Sequence, residues 1–195
     1  MKQVVPKVIM KNKKTPKKKH KTSVKTSAKS SRRNTEVQKY GTSNLEKDFA
    51  REFLDANGIV YIYQYELKDM GSRYMDFAVT CYRDKSYLME EKDGVRCVRQ
   101  DGQYFDVSFF IEVDGDYWHA NPATFKGKEL TPTQKHNLFV DRQKNEYAAL
   151  HGIPLLRVWE HDIRHDKAKV LRELSKYVDT GIRKKRILDE RKKPH

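Results

Sequence analysis

The segment that most restricts the fold is Phe109-Phe110-Ile111-Glu112-Val113, which runs directly into Asp114-Gly115-Asp116-Tyr117-Trp118-His119. A short, nearly continuous apolar run is the mark of a strand buried on both faces. This one carries carboxylates. On a strand, Glu112 and Asp114 project to the same face. Two carboxylates at the end of a buried strand are costly unless their charge is compensated. A divalent cation does this, since Mg²⁺ is bound through one or two carboxylates, waters and a substrate phosphate. Asp76 sits in a similar stretch, Tyr74-Met75-Asp76-Phe77-Ala78-Val79. If the two strands pair, it faces the same metal. The alternative is local: Asp114-Gly115-Asp116 is also ordinary turn chemistry.

Around this strand the pattern predicts helix, strands, helix, strand, helix. The first helix runs from Asn44 to Asn57, capped by Ser43 with Glu46 three residues on, and ends at Gly58. Strands follow at Ile59–Tyr65 and Tyr74–Cys81. The turn signals Asp93-Gly94 and Asp101-Gly102 lie among Tyr87–Glu91, Val95–Val98 and Tyr104–Val107, which read as extra hairpin strands. A polar loop spans Ala120–Leu130. Thr131-Pro132 opens a helix to Leu150, closed by Gly152. Ile153–Trp159 reads as a second buried strand, and Asp166–Val178 as the last helix. The expected class is α/β, a mixed sheet flanked by helices with an extra β-hairpin insertion.

Charge divides the 195 residues into three regions. The chain has 41 Lys plus Arg against 27 Asp plus Glu, a net charge of +14. Residues 1–39 hold 14 of the basic residues and a single acid, Glu36. Rich in Lys, Ser and Thr, this arm buries too little surface to order itself. Its charge, including Lys17, Lys18 and Lys19, suits a phosphate backbone; a targeting or solubility tail is the other reading. Residues 40–181 form the domain, and 182–195 a basic tail. No 18-residue apolar run and no secretory h-region occurs, so neither a membrane span nor export is expected. Two cysteines, Cys81 and Cys97, with no CxxC pair, make no disulfide framework. The expected setting is intracellular and reducing.

The order of elements then gives a resemblance. Phe110–Ala120 resembles the apolar strand and Gly-x-aromatic-Trp-His turn of the very-short-patch repair endonucleases. Asn137 and Asp141 on the next helix, Leu150-x-Gly152, and Leu156-Arg157-Val158-Trp159-Glu160 resemble that family's following elements in order and spacing. The same core occurs in homing endonucleases named for a Glu, Asp, x, His, Asp constellation. Both groups belong to the PD-(D/E)xK superfamily, which implies a restriction-endonuclease-like core over about Ser43–Lys176.

Residue by residue, the resemblance implies the following. Glu46 matches a glutamate near metal waters; the competing reading is a capping box, and the two roles are taken to exclude each other within one state. Asp76 matches the metal-binding aspartate, with Arg73 completing an R-x-x-D pattern; Asp106, the rival, lies too close to Glu112. Val113 matches a position whose backbone carbonyl binds metal, and Glu112 fills the acidic slot of the wider superfamily. Asp114 replaces the superfamily lysine, which is a histidine in the repair enzymes. His119 matches the general base and Asp141 its orienting partner, a sound pairing chemically because a carboxylate on one ring nitrogen fixes the tautomer of a base that works near pH 7. Asn137 lies one turn before Asp141, on the same side of the helix. Tyr117 and Trp118 match aromatic wedges between DNA bases; core packing is the alternative for Trp118. Asp116 and His161 stand where the repair enzymes have zinc ligands, and structural zinc wants Cys and His, so no structural zinc is expected.

The expectation is therefore an endonuclease using one or two Mg²⁺ ions on double-stranded DNA, with no obligate protein partner. The aspartate at 114, the missing zinc ligands and the basic arm favour a phage or mobile-element homing role. A mismatch-repair-type nicking enzyme and a catalytically inactive DNA-binding module are the alternatives.

Overall fold

The computed structural model describes residues 43–81, 87–100 and 106–191, with side chains up to Arg183. The basic arm with Lys17, Lys18 and Lys19, the Asp101-Gly102 turn and residues 192–195 lie outside the described residues.

A four-stranded mixed sheet organises the chain. Its strands are β1 (Val60–Glu66), β2 (Tyr74–Thr80), β5 (Phe109–Asp114) and β6 (Leu155–Trp159), in the order β1-β2-β5-β6. β1 and β2 are antiparallel, as are β2 and β5, while β5 and β6 are parallel. A parallel neighbour needs a long crossover, and α3 (Pro132–Leu150) supplies it. β3 (Met89–Lys92) and β4 (Val95–Val98) form a separate hairpin. Its turn residues Asp93 and Gly94 both have positive φ, 53° and 81°, the geometry of a type I′ turn.

Alternation along the strands assigns the two faces. Phe77, Val79, Phe109, Ile111 and Val113 pack with Phe49, Phe53 and Leu54 of the first helix and with Val170 and Leu174 of the last. Ala78 and Phe110 face the other way and pack with Ala148 of α3. Asp76, Glu112 and Asp114 share parity with Ala78 and Phe110, so the carboxylates belong to the α3 face.

Several elements differ from the sequence expectation. The first helix is α-helical only over Asn44–Phe49 (α1), continues as a π turn over Ala50–Leu54, and closes as a 3₁₀ turn over Asp55–Asn57. Phe49 and Leu54 are both fully buried. Five residues apart, they point to different sides of a regular α-helix, and the wider turn brings them to one side. The loop after His119 contains α2 (Pro122–Phe125), because Asn121 caps it and Pro122 occupies its first turn. Residues 106–108 are not a strand. β6 is a sheet edge with alternating burial rather than a strand buried on both faces. The last helix does not stop at Val178: α4 (Glu160–His165) precedes α5 (Lys167–Arg191), which carries the helix into the basic tail. Among the described residues, no helix is long and apolar enough to cross a membrane.

Candidate active site

The β2–β5 ladder ends at the pair Phe77 and Ile111, which puts Asp76 and Glu112 opposite each other just beyond it. Their side chains carry the pairing on. The Asp76 amide donates to Glu112 Oε1 at 3.1 Å, and the Val113 amide donates to Asp76 Oδ2 at 2.7 Å. The other oxygen of Glu112 accepts from Lys144 Nζ of α3 at 2.6 Å.

Glu46 approaches from α1. Its Oε1 completes the capping box with the Ser43 amide, while Oε2 accepts from Tyr63 Oη at 3.0 Å and Gln64 Nε2 at 2.8 Å. The cap occupies one oxygen only, so capping does not exhaust this carboxylate. Gln64 adopts φ 52° inside β1, a left-handed conformation that costs a non-glycine residue about 1–2 kcal/mol. Such strain persists where surroundings over-determine it. Here they include the Gln64–Glu46 bond and Lys92 of the hairpin, whose Nζ donates to the carbonyls of Tyr63 and Gln64 at 3.2 and 3.1 Å.

Asp114, one strand period beyond Glu112, joins a second group. His119 Nδ1 lies 2.8 Å from Asp141 Oδ2 and 3.5 Å from Asp114 Oδ1. Arg157 of β6 donates through Nη1 to both Asp114 oxygens at 3.0 and 2.9 Å, and through Nη2 to Asp141 Oδ1 at 3.0 Å. Arg157 Nη2 also stands 3.9 Å from Glu112 Oε2, which links the two groups into one cluster. The sequence-predicted Glu46, Asp76, Glu112, Val113, Asp114, His119 and Asp141 thus converge on one region.

The turn that delivers His119 is pinned to α3 by its backbone. Gln134 Nε2 donates to the Tyr117 carbonyl at 2.6 Å, and Asn137 Nδ2 to the Trp118 carbonyl at 3.0 Å. The side chains of Tyr117 and Trp118 are exposed, 53% and 57%, and meet edge to face. Core packing is therefore not the role of Trp118. Arg73 Nη2 donates to Gln143 of α3 at 3.3 Å. Asp116 accepts from Asn121 at 2.7 Å, and His161 stacks on His165.

Burial and mutual repulsion set the charges. Burial raises the Asp76 carboxyl well above the ordinary range, and Glu112 and Glu46 push it further. Burial likewise raises Glu46. Asp114 is pushed up to about 6 by burial, against the pull of Arg157 and His119. For His119, burial pulls the pKa down, but the Asp141 hydrogen bond and the charges of Asp114 and Asp141 outweigh it and leave it raised. Lys144 is raised too, because Glu112 and Asp76 overcome its burial.

Two cations of the site had no expected role: Arg157 enters the sequence analysis only as part of a motif, and Lys144 not at all. Arg157 interrupts the apolar run Ile153–Trp159, and a charge inside a buried strand needs a partner; that was its signal. Lys144 follows Asp141 by three residues on the same helix face, but nothing in the sequence tied it to Glu112.

Comparison with known proteins is sparse. No family model matches the chain, and no solved structure matches it. It is 27% identical over 105 residues, covering 50% of this chain, to a protein of Lentzea aerocolonigenes described as "Type II nicking enzyme V.NaeI". The match spans 61% of that protein's length. At that identity and coverage the similarity by itself assigns the chain to no family.

Proposed function

We propose that this protein is a divalent-metal-dependent DNA endonuclease that hydrolyses phosphodiester bonds. One observation carries the reading: an imidazole oriented by a carboxylate stands beside a surplus of buried acid. Among the described residues, Lys144 and Arg157 are the permanent cations set against the acids Glu46, Asp76, Glu112, Asp114 and Asp141. Such an excess takes up either protons or a cation. The oxygen donors fit Mg²⁺, and Asp76, the Val113 carbonyl and Glu112 would hold it. The sequence adds Asp114, whose two oxygens accept from Arg157. When bound, the metal supplies a Lewis acid for the scissile phosphate.

The rest is done by the chain. With Nδ1 bound to Asp141, the proton of neutral His119 sits on Nδ1, and Nε2 is the basic nitrogen that takes a proton from the attacking water. Arg157 holds Asp141 in place. Glu46, fixed by Ser43, Tyr63 and Gln64, would orient metal-bound water. Exposed Tyr117 and Trp118 would meet the duplex, with Arg73 and Asn137 as further candidate contacts. The basic arm would add affinity with little sequence preference.

Within this reading we favour double-stranded DNA and a homing-type role, on the resemblance described above. A nick in one strand is the second reading, favoured by the similarity to a nicking enzyme. Incubating supercoiled plasmid and duplex RNA with the protein, with Mg²⁺ or with EDTA, tests the proposal. Metal-dependent conversion of the plasmid to nicked or linear DNA is expected. Cleavage that persists in EDTA, or RNA cut in preference to DNA, counts against it.

A further inference from the structure

We propose that Arg157 is the resident cation of the Asp114–His119–Asp141 pocket, so that Asp114 and Asp141 hold a guanidinium in place of a metal ion and leave His119 available as a proton acceptor. The inference deepens the nuclease reading by deciding which carboxylates take metal.

By composition and spacing the three residues look like a metal site. One ligand atom from each lies within 4.8 Å of the others, and an imidazole with two carboxylates suits divalent transition metals. The contacts say otherwise. Both Asp114 oxygens and one Asp141 oxygen accept N–H bonds from Arg157, and Arg157 Nε donates to Asn145 Oδ1 at 3.2 Å. All three guanidinium nitrogens are therefore engaged, by residues of β5 and α3. The remaining Asp141 oxygen takes His119 Nδ1. Because Nδ1 carries the proton in that bond, the ring nitrogen that faces the two carboxylates offers no lone pair to a metal held between them, and Nε2 is the nitrogen left free.

The character of the cation matters as much as its contacts. An arginine stays charged at any pH the fold survives, and its planar fork matches two carboxylates at once. Arg157 extends from a strand hydrogen-bonded to β5 in the register Glu112 with Arg157, so its origin is fixed beside the site. The cation facing Asp76 and Glu112 is different. Lys144 is a single ammonium on a flexible stem, bonded to one oxygen of Glu112, and can move aside for a metal. Metal therefore binds on the Asp76 side, and the Arg157 side supplies the base.

Cobalt(II) added to the full chain tests this by visible absorption, since imidazole ligation changes the cobalt spectrum. Wild type and His119→Ala are expected to give the same spectrum, from oxygen ligands only. Arg157→Met, checked for folding by circular dichroism, is expected to gain an imidazole-dependent signal that disappears in Arg157→Met/His119→Ala. A wild-type signal lost in His119→Ala overturns the proposal, and this comparison needs no Arg157 variant. A folded Arg157→Met protein with no new signal overturns it as well. The readout is ligation rather than cleavage, so plasmid cleavage by the wild type, assayed in parallel, separates failure of this inference from failure of the nuclease reading.

Discussion

His119 Nδ1 stands 2.8 Å from Asp141 Oδ2, and the other oxygen of Asp141 accepts from Arg157 at 3.0 Å. This relay fixes the imidazole tautomer and its orientation. His119→Ala is expected to lower the single-turnover cleavage rate by about 10²–10⁴-fold, the usual worth of a general base. Asp141→Asn should lower the rate while leaving DNA affinity unchanged, as measured by filter binding.

The same relay predicts a pH profile. The His119 pKa is raised above 6.5 in the folded protein, so the base form grows in only above that value and cleavage should climb with pH there. Arg157 opposes the rise, and Arg157→Gln should move the ascending limb to higher pH. Stability runs the other way. The preference of folded His119 for its proton stabilises the fold below 6.5 and is lost as pH rises through the raised pKa. Asp114, at about 6 when folded against 3.8 for a free carboxyl, likewise favours folding at low pH, and that contribution fades between those values. Urea denaturation of Asp114→Asn should show a flatter pH dependence over that interval.

Lys144 and Glu112 form a buried pair, their side chains 13% and 2% exposed. Removing one partner of such a pair strands the other charge, at a cost of about 3–5 kcal/mol. Lys144→Met should destabilise the fold by that order in urea. Adding Glu112→Gln should recover part of the loss, because a neutral amide needs no counter-ion.

The β3–β4 hairpin reaches the site through Lys92, which donates to the carbonyls of Tyr63 and Gln64, the two residues that hold Glu46 Oε2. Both bonds come from one partly buried ammonium, and a charge-assisted hydrogen bond is worth about 1.5–3 kcal/mol. Lys92→Met should destabilise by that amount and raise the Mg²⁺ concentration needed for half-maximal cleavage, since Glu46 is proposed to orient metal water. An unchanged Mg²⁺ midpoint would confine Lys92 to a purely structural role.

The sequence made the site legible where the chemistry conflicts with the fold. Glu112 in an apolar strand and Asp76 in a second one signalled function because burial alone does not tolerate them, and His119 did so because a Trp-His pair follows directly on the carboxylate strand. The Thr131 cap and the Asp93-Gly94 turn were legible from local residue chemistry. What stayed hidden depends on tertiary contact. The π turn serves the packing of Phe49 and Leu54 against the sheet, and the left-handed Gln64 serves Glu46. Arg157 joins Asp114 to Asp141 only once β6 lies beside β5, an adjacency set by the crossover and not by any local pattern. The extension of α5 through the basic residues after Ile182 likewise escaped a reading based on apolar periodicity.

The most direct test of the central claim is Mg²⁺-dependent plasmid cleavage by wild type, Asp76→Ala and His119→Ala, each shown to be folded and to bind DNA. Cleavage by wild type is the predicted result, with a loss of about two orders of magnitude or more in His119→Ala, as expected for a general base, and a comparable loss in Asp76→Ala through the metal site. Wild-type rates in both variants would contradict it.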